Sequence, residues 1–380
     1  MNQKLTALTG PKILVQGQFR ENLTLITCDG QVSDIVAVAD IPSEAEVIEL
    51  AGGYLVSGFV DLQVNGGGGV MFRDVETLRI MSRAHASIGA TSILPTLITD
   101  TPENVSLAID AVEQAIAEGV PGILGLHLEG PHLSISRKGA HDPSLIRPMT
   151  DEDLTVLLDG AARLPVLKVT VAPENVTNDQ IANLSQAGVL ISLGHTDADF
   201  TTCQGAAEAG ARCVTHLFNA QSQIGNREPG TVGAALALGD LSAGLIADGV
   251  HVHPECMGLA LRSKCGPGQI FLVSDAMATA ASDIDGFILN DRWIHRSGNR
   301  LTLKDGTLAG AHLEVATAVR NVVEMCDVPL ATAFAMASET PAALIGATHV
   351  GSFAKGAQAD ILHLTEGLEL AQVWQRGLLV

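Results

Sequence analysis

The sequence is poor in aromatic side chains and in positive charge. Aromatic residues make up 3% of the 380 residues, so the core must be aliphatic, drawn from a hydrophobic fraction of 47%. Lysine and arginine number 22 against 42 aspartates and glutamates, for a formal net charge of -20. Without a basic stripe to displace counterions, a nucleic-acid partner is disfavoured. Any anionic ligand must therefore be captured by a local cluster of donors.

Long apolar runs and paired cysteines are also missing. No run reaches the roughly 18 apolar residues that span a bilayer, and the first residues carry no apolar signal core. None of the six cysteines forms a Cys-x-x-Cys pair, which is typical of reduced cysteines in a cytoplasmic protein. We therefore expect a cytoplasmic protein with no membrane partner.

Short strand-like segments occupy both ends of the chain. Residues 1–56 contain short apolar runs separated by turn signals such as Asp29-Gly30, without a convincing helical period. The same pattern returns over residues 347–380. We predict that the two ends form one small β-sandwich domain.

Residues 57–346 alternate short apolar runs with helical stretches, which is typical of βα units around a parallel sheet. The runs are continuously apolar, as expected for strands buried on both faces. We therefore predict the α/β class and a (β/α)8 TIM barrel, with a hairpin insertion near 283–310 above its mouth. Thr101 and Thr177 are expected helix starts, and two last helices are expected over 312–326 and 330–345. The predicted strands are Leu55–Val64, Thr91–Thr96, Ile123–Glu129, Val166–Val171, Val189–His195, Cys213–His216, Ala243–Asp248 and Ile270–Asp275.

Side chains that can bind a metal stand at the ends of these runs. Glu129 ends the third run, His195 and His216 end the fifth and sixth, and Asp275 ends the eighth. A barrel brings the carboxyl ends of its strands onto one rim. Imidazole and carboxylate ligands with one open position form a catalytic zinc site. We predict one divalent metal on Glu129, His195 and His216, with Asp275 as general acid and base; a hydrogen-bonded loop histidine and a capping aspartate are the alternatives.

Seven motifs extend this pattern along the chain. They are Glu129-Gly-Pro131, Gly194-His195, Thr215-His-Leu-Phe-Asn-Ala220, Arg227-Glu-Pro-Gly230, Asp248-Gly-Val-His251, Ser274-Asp-Ala276 and Gly306-Thr-Leu-Ala-Gly310. In order and spacing they resemble N-acetylglucosamine-6-phosphate deacetylases of the amidohydrolase superfamily, over nearly the whole chain. The resemblance implies hydrolysis of the N-acetyl group of N-acetylglucosamine 6-phosphate to glucosamine 6-phosphate and acetate, in amino-sugar catabolism and recycling.

The resemblance also implies roles for individual residues. It assigns metal binding to Glu129, His195 and His216 and acid–base catalysis to Asp275. It also suggests a homodimer. The resident ion would be Zn²⁺, with Fe²⁺, Co²⁺ and Mn²⁺ as alternatives. The loop at Leu308 and Ala309 would lie over the acetyl group. The residues that would bind the sugar phosphate are Ala140, His141, Asn219, Ala220, Arg227 and His251.

Two positions depart from the pattern of related enzymes. Many amidohydrolases carry His-x-His at the end of the first strand, where this chain reads Gln63-Val-Asn65. Amides are poor replacements for imidazole as transition-metal ligands, so we expect a single tightly held metal with Gln63 in a polar supporting role. A weak second metal near Gln63 stays open. His132 stands where related enzymes often carry an aromatic ring, and it either touches the ligand or fills the loop.

The sequence leaves other functions open. N-acetylgalactosamine 6-phosphate is an alternative substrate, because the sequence does not separate the two sugars. Another amide hydrolase of the superfamily, such as a dihydropyrimidinase-like or N-acyl amino-acid enzyme, is disfavoured by the missing His-x-His. It is also disfavoured because no obvious carboxylated lysine ends the fourth strand, Val169-Thr-Val-Ala-Pro. An inactive barrel that serves as a binding protein is the alternative outside the enzymes.

Overall fold

A closed eight-stranded parallel barrel forms the centre of the computed structural model, which describes residues 5–380. The strands follow one another in chain order, each parallel to the next. A parallel bridge between Val64 and Ala276 closes the ring. The predicted α/β barrel is therefore confirmed. The barrel strands, numbered one to eight, are Val60–Val64, Ser92–Ile98, Leu126–Glu129, Leu167–Val171, Leu190–Leu193, Cys213–Val214, Ser242–Leu245 and Ile270–Leu272.

The helices contact one another in sequence around the barrel. The predicted starts at Thr101 and Thr177 are confirmed, because each hydroxyl accepts a hydrogen bond from a first-turn backbone N–H, at 3.3 Å in both cases. No helix among residues 5–380 combines the length and the apolar character needed to cross a bilayer. The α-helices are Val75–Ser87, Pro102–Ala117, Asp151–Arg163, Asn178–Gln186, Phe200–Ala209, Gly230–Ala237, Pro254–Ser263, Val315–Cys326, Leu330–Ala337 and Glu339–Leu344; short 3₁₀ turns cover Val38–Asp40 and Ile135–Arg137.

Two further sheets share a core that contains Leu8, Leu25, Ile361 and Trp374, and the six-stranded one draws strands from both ends of the described chain. The division into domains 1–56 with 347–380 and 57–346 stays a prediction. The four-stranded sheet is ordered Gln31–Ala37, Leu23–Cys28, Leu5–Thr9 and Glu46–Glu49, and the six-stranded sheet is ordered Leu378–Leu379, Leu370–Gln375, Ile361–Leu364, Tyr54–Ser57, Lys12–Val15 and Gln18–Arg20.

The prediction of one barrel strand over Leu55–Val64 is wrong. Tyr54–Ser57 pairs with Ile361–Leu364 in the six-stranded sheet, and the barrel strand begins only at Val60. The chain changes sheets at Gly58, where a Cβ atom would collide with the side chain of Thr91. Both halves are buried and each mixes apolar residues with polar ones such as Ser57 and Asp61, so the composition does not reveal the change of sheet.

The predicted hairpin insertion is also corrected, because it is a four-stranded antiparallel sheet. Its last strand ends at Ala311, which forms a bridge to Ala276 and ties the sheet to the barrel rim. The predicted helix over 330–345 is interrupted at Ser338, whose hydroxyl donates to the carbonyl of Phe334 at 2.7 Å. Pro341 follows, and proline cannot continue the earlier ladder of hydrogen bonds. The strands of the inserted sheet are Gly286–Leu289, Arg292–Ser297, Arg300–Thr302 and Leu308–Ala311.

Candidate active site and metal centre

The backbone turns sharply where the chain leaves barrel strands five, six and eight. His195, His216 and Asp275 have φ values of 48°, 30° and 51°, in the left-handed region that side chains other than glycine seldom adopt. Glu129 is the last residue of strand three. Left-handed backbone at non-glycine residues clusters at functional sites, where surrounding contacts hold it in place. All four side chains are buried on the rim, as the pattern of strand ends predicts.

Three ligand atoms converge on one point of this rim. The Nε2 atom of His216 lies 3.0 Å from Glu129 Oε1, and the Nε2 atom of His195 lies 3.4 Å from the same oxygen. The two Nε2 atoms are 3.0 Å apart. Ligands at about 2.0–2.1 Å from a tetrahedral zinc ion stand roughly 3.3 Å from one another. The spacing of the three atoms therefore fits a single divalent ion.

His141 offers a second combination with Glu129 and His195, since one ligand atom from each lies within 4.8 Å of the others. Its Nε2 atom is 4.0 Å from Glu129 Oε2, further than either atom of His216 or His195 from Oε1. Its Nδ1 atom accepts from the backbone N–H of Thr99 at 3.3 Å, so the neutral ring carries its proton on Nε2. A protonated Nε2 donates a hydrogen bond and cannot bind a metal. His141 therefore suits a donor role.

The ring of His195 carries its proton on the other nitrogen. Its Nδ1 atom lies 2.8 Å from the carbonyl oxygen of Arg137, which can only accept, so Nδ1 carries the proton. The lone pair of Nε2 then points toward Glu129 and His216. A backbone carbonyl that fixes the tautomer in this way is a common supporting contact of metal-binding histidines.

The charges of the cluster are strongly coupled. Burial raises the pKa of Glu129, but the neighbouring imidazoles of His195 and His216 outweigh burial and hold this pKa well below its usual range. Burial lowers the pKa of His216, whereas the Glu129 carboxylate raises it, and the net direction is upward. Burial lowers the pKa of His141 to about 3, so this ring is neutral at pH 7. A metal ion would take the place of the proton that Glu129 and His216 share.

Asp275 is held beside the cluster by two amides. The Nε2 atom of Gln63 donates to Asp275 Oδ1 at 3.1 Å and to Glu129 Oε1 at 3.0 Å. The Nδ2 atom of Asn65 donates to the same Asp275 oxygen at 2.8 Å. Burial, together with the nearby charge of Glu129, raises the pKa of Asp275 to about 6. A carboxyl group with a pKa near neutrality suits proton transfer in both directions.

A cavity of about 360 Å³ opens over these groups. Arg137 lines it but is paired with Asp197, whose Oδ1 lies 2.7 Å from the Nη2 of Arg137. The inserted sheet contributes Leu308, so it covers part of the site. Predicted residues that line the cavity are Glu129, Ala140, His141, His195, His216, Asn219, Ala220, His251, Asp275 and Leu308.

The ring of His251 is oriented by a carboxylate behind it. Its Nδ1 atom lies 2.6 Å from Asp248 Oδ2, and the two side chains are 4% and 3% exposed. Asp248 Oδ1 accepts from the backbone N–H groups of Val250 and His251, both at 2.8 Å. Burial raises the pKa of Asp248, but the hydrogen bond from His251 outweighs burial and lowers it. Because Nδ1 is engaged, His251 presents Nε2 to the cavity.

Other predicted residues lie outside the cavity lining. Arg227 is on an exposed loop, and Ala309 is buried within the inserted sheet. His132 is buried, with Nδ1 3.1 Å from the carbonyl oxygen of Arg147. Gln63 lies beneath the cavity, bonded to Glu129 and Asp275. The functional roles of these residues stay predictions.

Sequence reasoning missed Asn65 and Asp248. Asn65 lies two residues after Gln63, and side chains two apart on a strand share a face, so the alternation could have placed it beside Asp275. Asp248 ends the seventh predicted run, as Asp275 ends the eighth, and this shared position was the available signal. The pairing of Asp248 with His251 could not be read from spacing alone.

A barrel with a carboxylate, imidazoles and a further acid on its C-terminal rim has the architecture of barrel hydrolases. The family model described as "Amidohydrolase family" matches residues 54–379. The chain belongs to this family.

Relatives with named activities match almost the whole chain. The N-acetylgalactosamine-6-phosphate deacetylase of Shewanella sp. (strain ANA-3) is 42% identical over 97% of this chain and 94% of its own length. The N-acetylglucosamine-6-phosphate deacetylase of Haemophilus influenzae is 34% identical over 91% of each chain. The crystal structure of N-acetylglucosamine-6-phosphate deacetylase from Pasteurella multocida superimposes with a TM-score of 0.94, at 34% identity and 99% coverage of both chains.

Proposed function

We propose that the protein removes the N-acetyl group of N-acetylglucosamine 6-phosphate, giving glucosamine 6-phosphate and acetate in amino-sugar catabolism. The observation that carries the proposal is the convergence of Glu129, His195 and His216 beside Asp275 in one cavity. Hydrolysis of an amide needs an activated water, a donor for the carbonyl oxygen and an acid for the departing nitrogen. The rim offers groups suited to each need.

Glu129, His195 and His216 would hold one divalent metal, which we propose is Zn²⁺. A bound divalent metal supplies Lewis acidity and lowers the pKa of water to near neutrality. The chain supports these ligands from behind, since the carbonyl of Arg137 fixes the ring of His195 and the amide of Gln63 fixes Glu129. Fe²⁺, Co²⁺ and Mn²⁺ are alternatives that the same ligand set can accept.

His141 and Asp275 would handle charge and protons during the reaction. The Nε2–H of His141 is free to donate toward the cavity, because Nδ1 accepts from Thr99. It would stabilise the carbonyl oxygen of the acetyl group as negative charge develops there. Asp275 would accept a proton from the attacking water and deliver it to the nitrogen. The nitrogen then leaves as a neutral amine, since an amide anion is too basic to leave.

The remaining cavity residues would hold the sugar phosphate. Asn219 and Ala220 present backbone and side-chain polar groups, and His251 presents Nε2. Ala140 would contact the sugar on the same side as His141. Leu308, followed by Ala309, would lie over the acetyl group. Arg227, although exposed in the single chain, carries the planar fork that suits phosphate oxygens.

N-acetylgalactosamine 6-phosphate is the second candidate substrate, favoured by the 42% identity with the Shewanella enzyme. The two sugars differ only in the direction of one hydroxyl group. A site that hydrogen-bonds that hydroxyl discriminates strongly, whereas a site that leaves it in solvent does not. Comparison of kcat/KM for the two sugar phosphates decides between them.

We further propose a cytoplasmic homodimer. Support for the compartment comes from the cysteines, all six of which are free thiols. The family resemblance supports the dimer. Light scattering of the purified protein tests the assembly state directly.

The proposed activity is tested by acetate release from purified protein, combined with elemental analysis. We expect one equivalent of divalent metal and turnover of at least one N-acetylhexosamine 6-phosphate. Loss of activity on chelation, and recovery on adding Zn²⁺, would support the metal assignment. Protein that holds no metal, or that releases no acetate from either sugar phosphate, would contradict the proposal.

A further inference from the structure

A lysine is buried inside the barrel beneath the site. Lys168 is 1% exposed and is the one lysine or arginine that is buried among residues 5–380. It lies on strand four, two residues before Thr170, whose hydroxyl points into the barrel and lies 2.7 Å from His127 Nε2. Side chains two apart on a strand share a face, so Lys168 also points inward, one layer below the rim.

Three carboxyl groups share this interior with Lys168. Glu129 and Asp275 form the rim, and Asp61 lies on strand one, two residues before Gln63. Asp61 is 0% exposed, and both of its oxygens lie 3.2 Å from the backbone nitrogen of Ser274. Burial lowers the pKa of Lys168, the three carboxylates raise it, and the net direction is downward. In the barrel sheet Lys168 is the register partner of His127, which lies two residues before Glu129. Lys168 is therefore electrostatically coupled to the metal-binding rim.

For Lys168 and these three carboxylates, the charges balance when one divalent ion is bound. Three carboxylates carry three negative charges, and Lys168 with a single divalent ion supplies three positive charges. Two divalent ions would leave two uncompensated positive charges in a medium where unpaired charge is costly. This count is independent of the amides at Gln63 and Asn65, which weaken a second metal site through their poor ligand chemistry.

We propose that Lys168 is a positioning residue. Its buried ammonium group supplies the positive charge that a second metal ion would otherwise supply, and so limits the barrel to one divalent ion. The inference rests on the proposed metal site and adds what sets its stoichiometry and affinity. Lys168 repels an incoming divalent ion and Asp61 attracts it. Removing the charge of Lys168 must therefore raise metal affinity, and removing the charge of Asp61 must lower it. A purely structural role would not produce shifts in opposite directions.

The test measures Zn²⁺ affinity by competition with a chelator, and Zn²⁺ stoichiometry by elemental analysis, at pH 8. This pH lies above the pKa of Asp61, which burial raises to about 6. The proteins are wild type, Lys168→Met, Asp61→Asn and the double variant. Asp360→Asn is the matched control, because burial also raises the pKa of Asp360 to about 6 but this residue follows the last barrel helix and lies outside the barrel strands.

We expect Lys168→Met to bind Zn²⁺ about tenfold more tightly or better, and to accept more than one equivalent at excess metal. Asp61→Asn should bind about tenfold more weakly, while the double variant returns to within about threefold of wild type. Asp360→Asn should match wild type. If Lys168→Met fails to fold, the double variant must still bind more tightly than Asp61→Asn.

Shifts in the same direction for both single variants, or no shift, would overturn the role of Lys168 while leaving the metal site intact. Wild-type protein that binds no Zn²⁺ would instead contradict the proposed function itself. Thermal unfolding of every variant separates a change in metal affinity from a change in fold.

Discussion

Replacement of Asp275 by asparagine removes the proton-transfer group but keeps an oxygen that can accept the same hydrogen bonds. The Oδ1 atom of Asp275 accepts from Asn65 and Gln63, and an asparagine oxygen can accept both hydrogen bonds in the same place. The fold and the metal ligands should therefore be preserved. The variant cannot move a proton between water and the departing nitrogen. Because positioned acid–base groups contribute about 10²- to 10⁴-fold, we expect kcat to fall by roughly 10³.

The same substitution should stabilise the metal-free protein at neutral pH. Burial raises the pKa of Asp275 from its ordinary 3.8 to about 6, so between these values the folded protein binds more protons than the unfolded chain. The free energy of unfolding therefore falls as pH rises through this window. Each pH unit contributes about 1.4 kcal/mol, which gives a cost of about 3 kcal/mol above pH 6. Asparagine carries no such cost.

The assay is denaturant unfolding of chelated wild type and variant between pH 4 and 8, alongside steady-state kinetics of the metal-loaded proteins. The stability gain should be largest at pH 7–8 and vanish near pH 4. Asp360→Asn is the control, since it removes a buried carboxyl with a similarly raised pKa and should leave kcat unchanged. A variant with near-normal kcat would remove Asp275 from the mechanism. Equal stability at pH 8 would refute the burial argument.

Three further variants test the other parts of the site. His195→Ala removes one of three converging ligand atoms, so metal content should fall from one equivalent to below about a tenth by elemental analysis. Asp248→Asn replaces the partner that holds His251 Nδ1, and KM for the sugar phosphate should rise about tenfold with kcat within about threefold; an unchanged KM would separate Asp248 from substrate binding. Arg227→Ala should raise KM by about tenfold or more at constant metal content. Equal turnover of the unphosphorylated sugar by the wild type would argue against a phosphate site.

The barrel and the positions of its rim residues could be predicted because both depend on local pattern. Apolar runs ending in Glu129, His195 or Asp275 indicate buried parallel strands, and a barrel brings such ends together regardless of sequence distance. The change of sheets within Leu55–Val64 could not be predicted, because both halves are buried and both mix apolar with polar residues. The fourth strand of the inserted sheet, Leu308–Ala311, is short and rich in small residues, so it carries no strand signal of its own.

The division of labour among the histidines depends on contacts that no spacing reveals. His141 and His195 are both buried beside Glu129, and their residue type alone makes either a metal ligand. The backbone N–H of Thr99 and the carbonyl of Arg137 place the proton on opposite nitrogens of the two rings. One ring thus becomes a donor and the other a ligand. These partners lie 42 and 58 residues away in the chain, beyond any local pattern.

The strained backbone of the rim connects the fold to the chemistry. A left-handed conformation at His195, His216 and Asp275 costs of order 1–3 kcal/mol at each residue. Glycine would remove this cost but would remove the functional side chain as well. The strain is held by contacts that continue the barrel beyond its strands, such as the backbone N–H of Ser134 donating to the carbonyl of His195 at 2.8 Å. These turns come shortly after the ends of strands five, six and eight and direct the three side chains to one site. The conformational strain therefore lowers the stability of the barrel, while it holds the functional side chains in place.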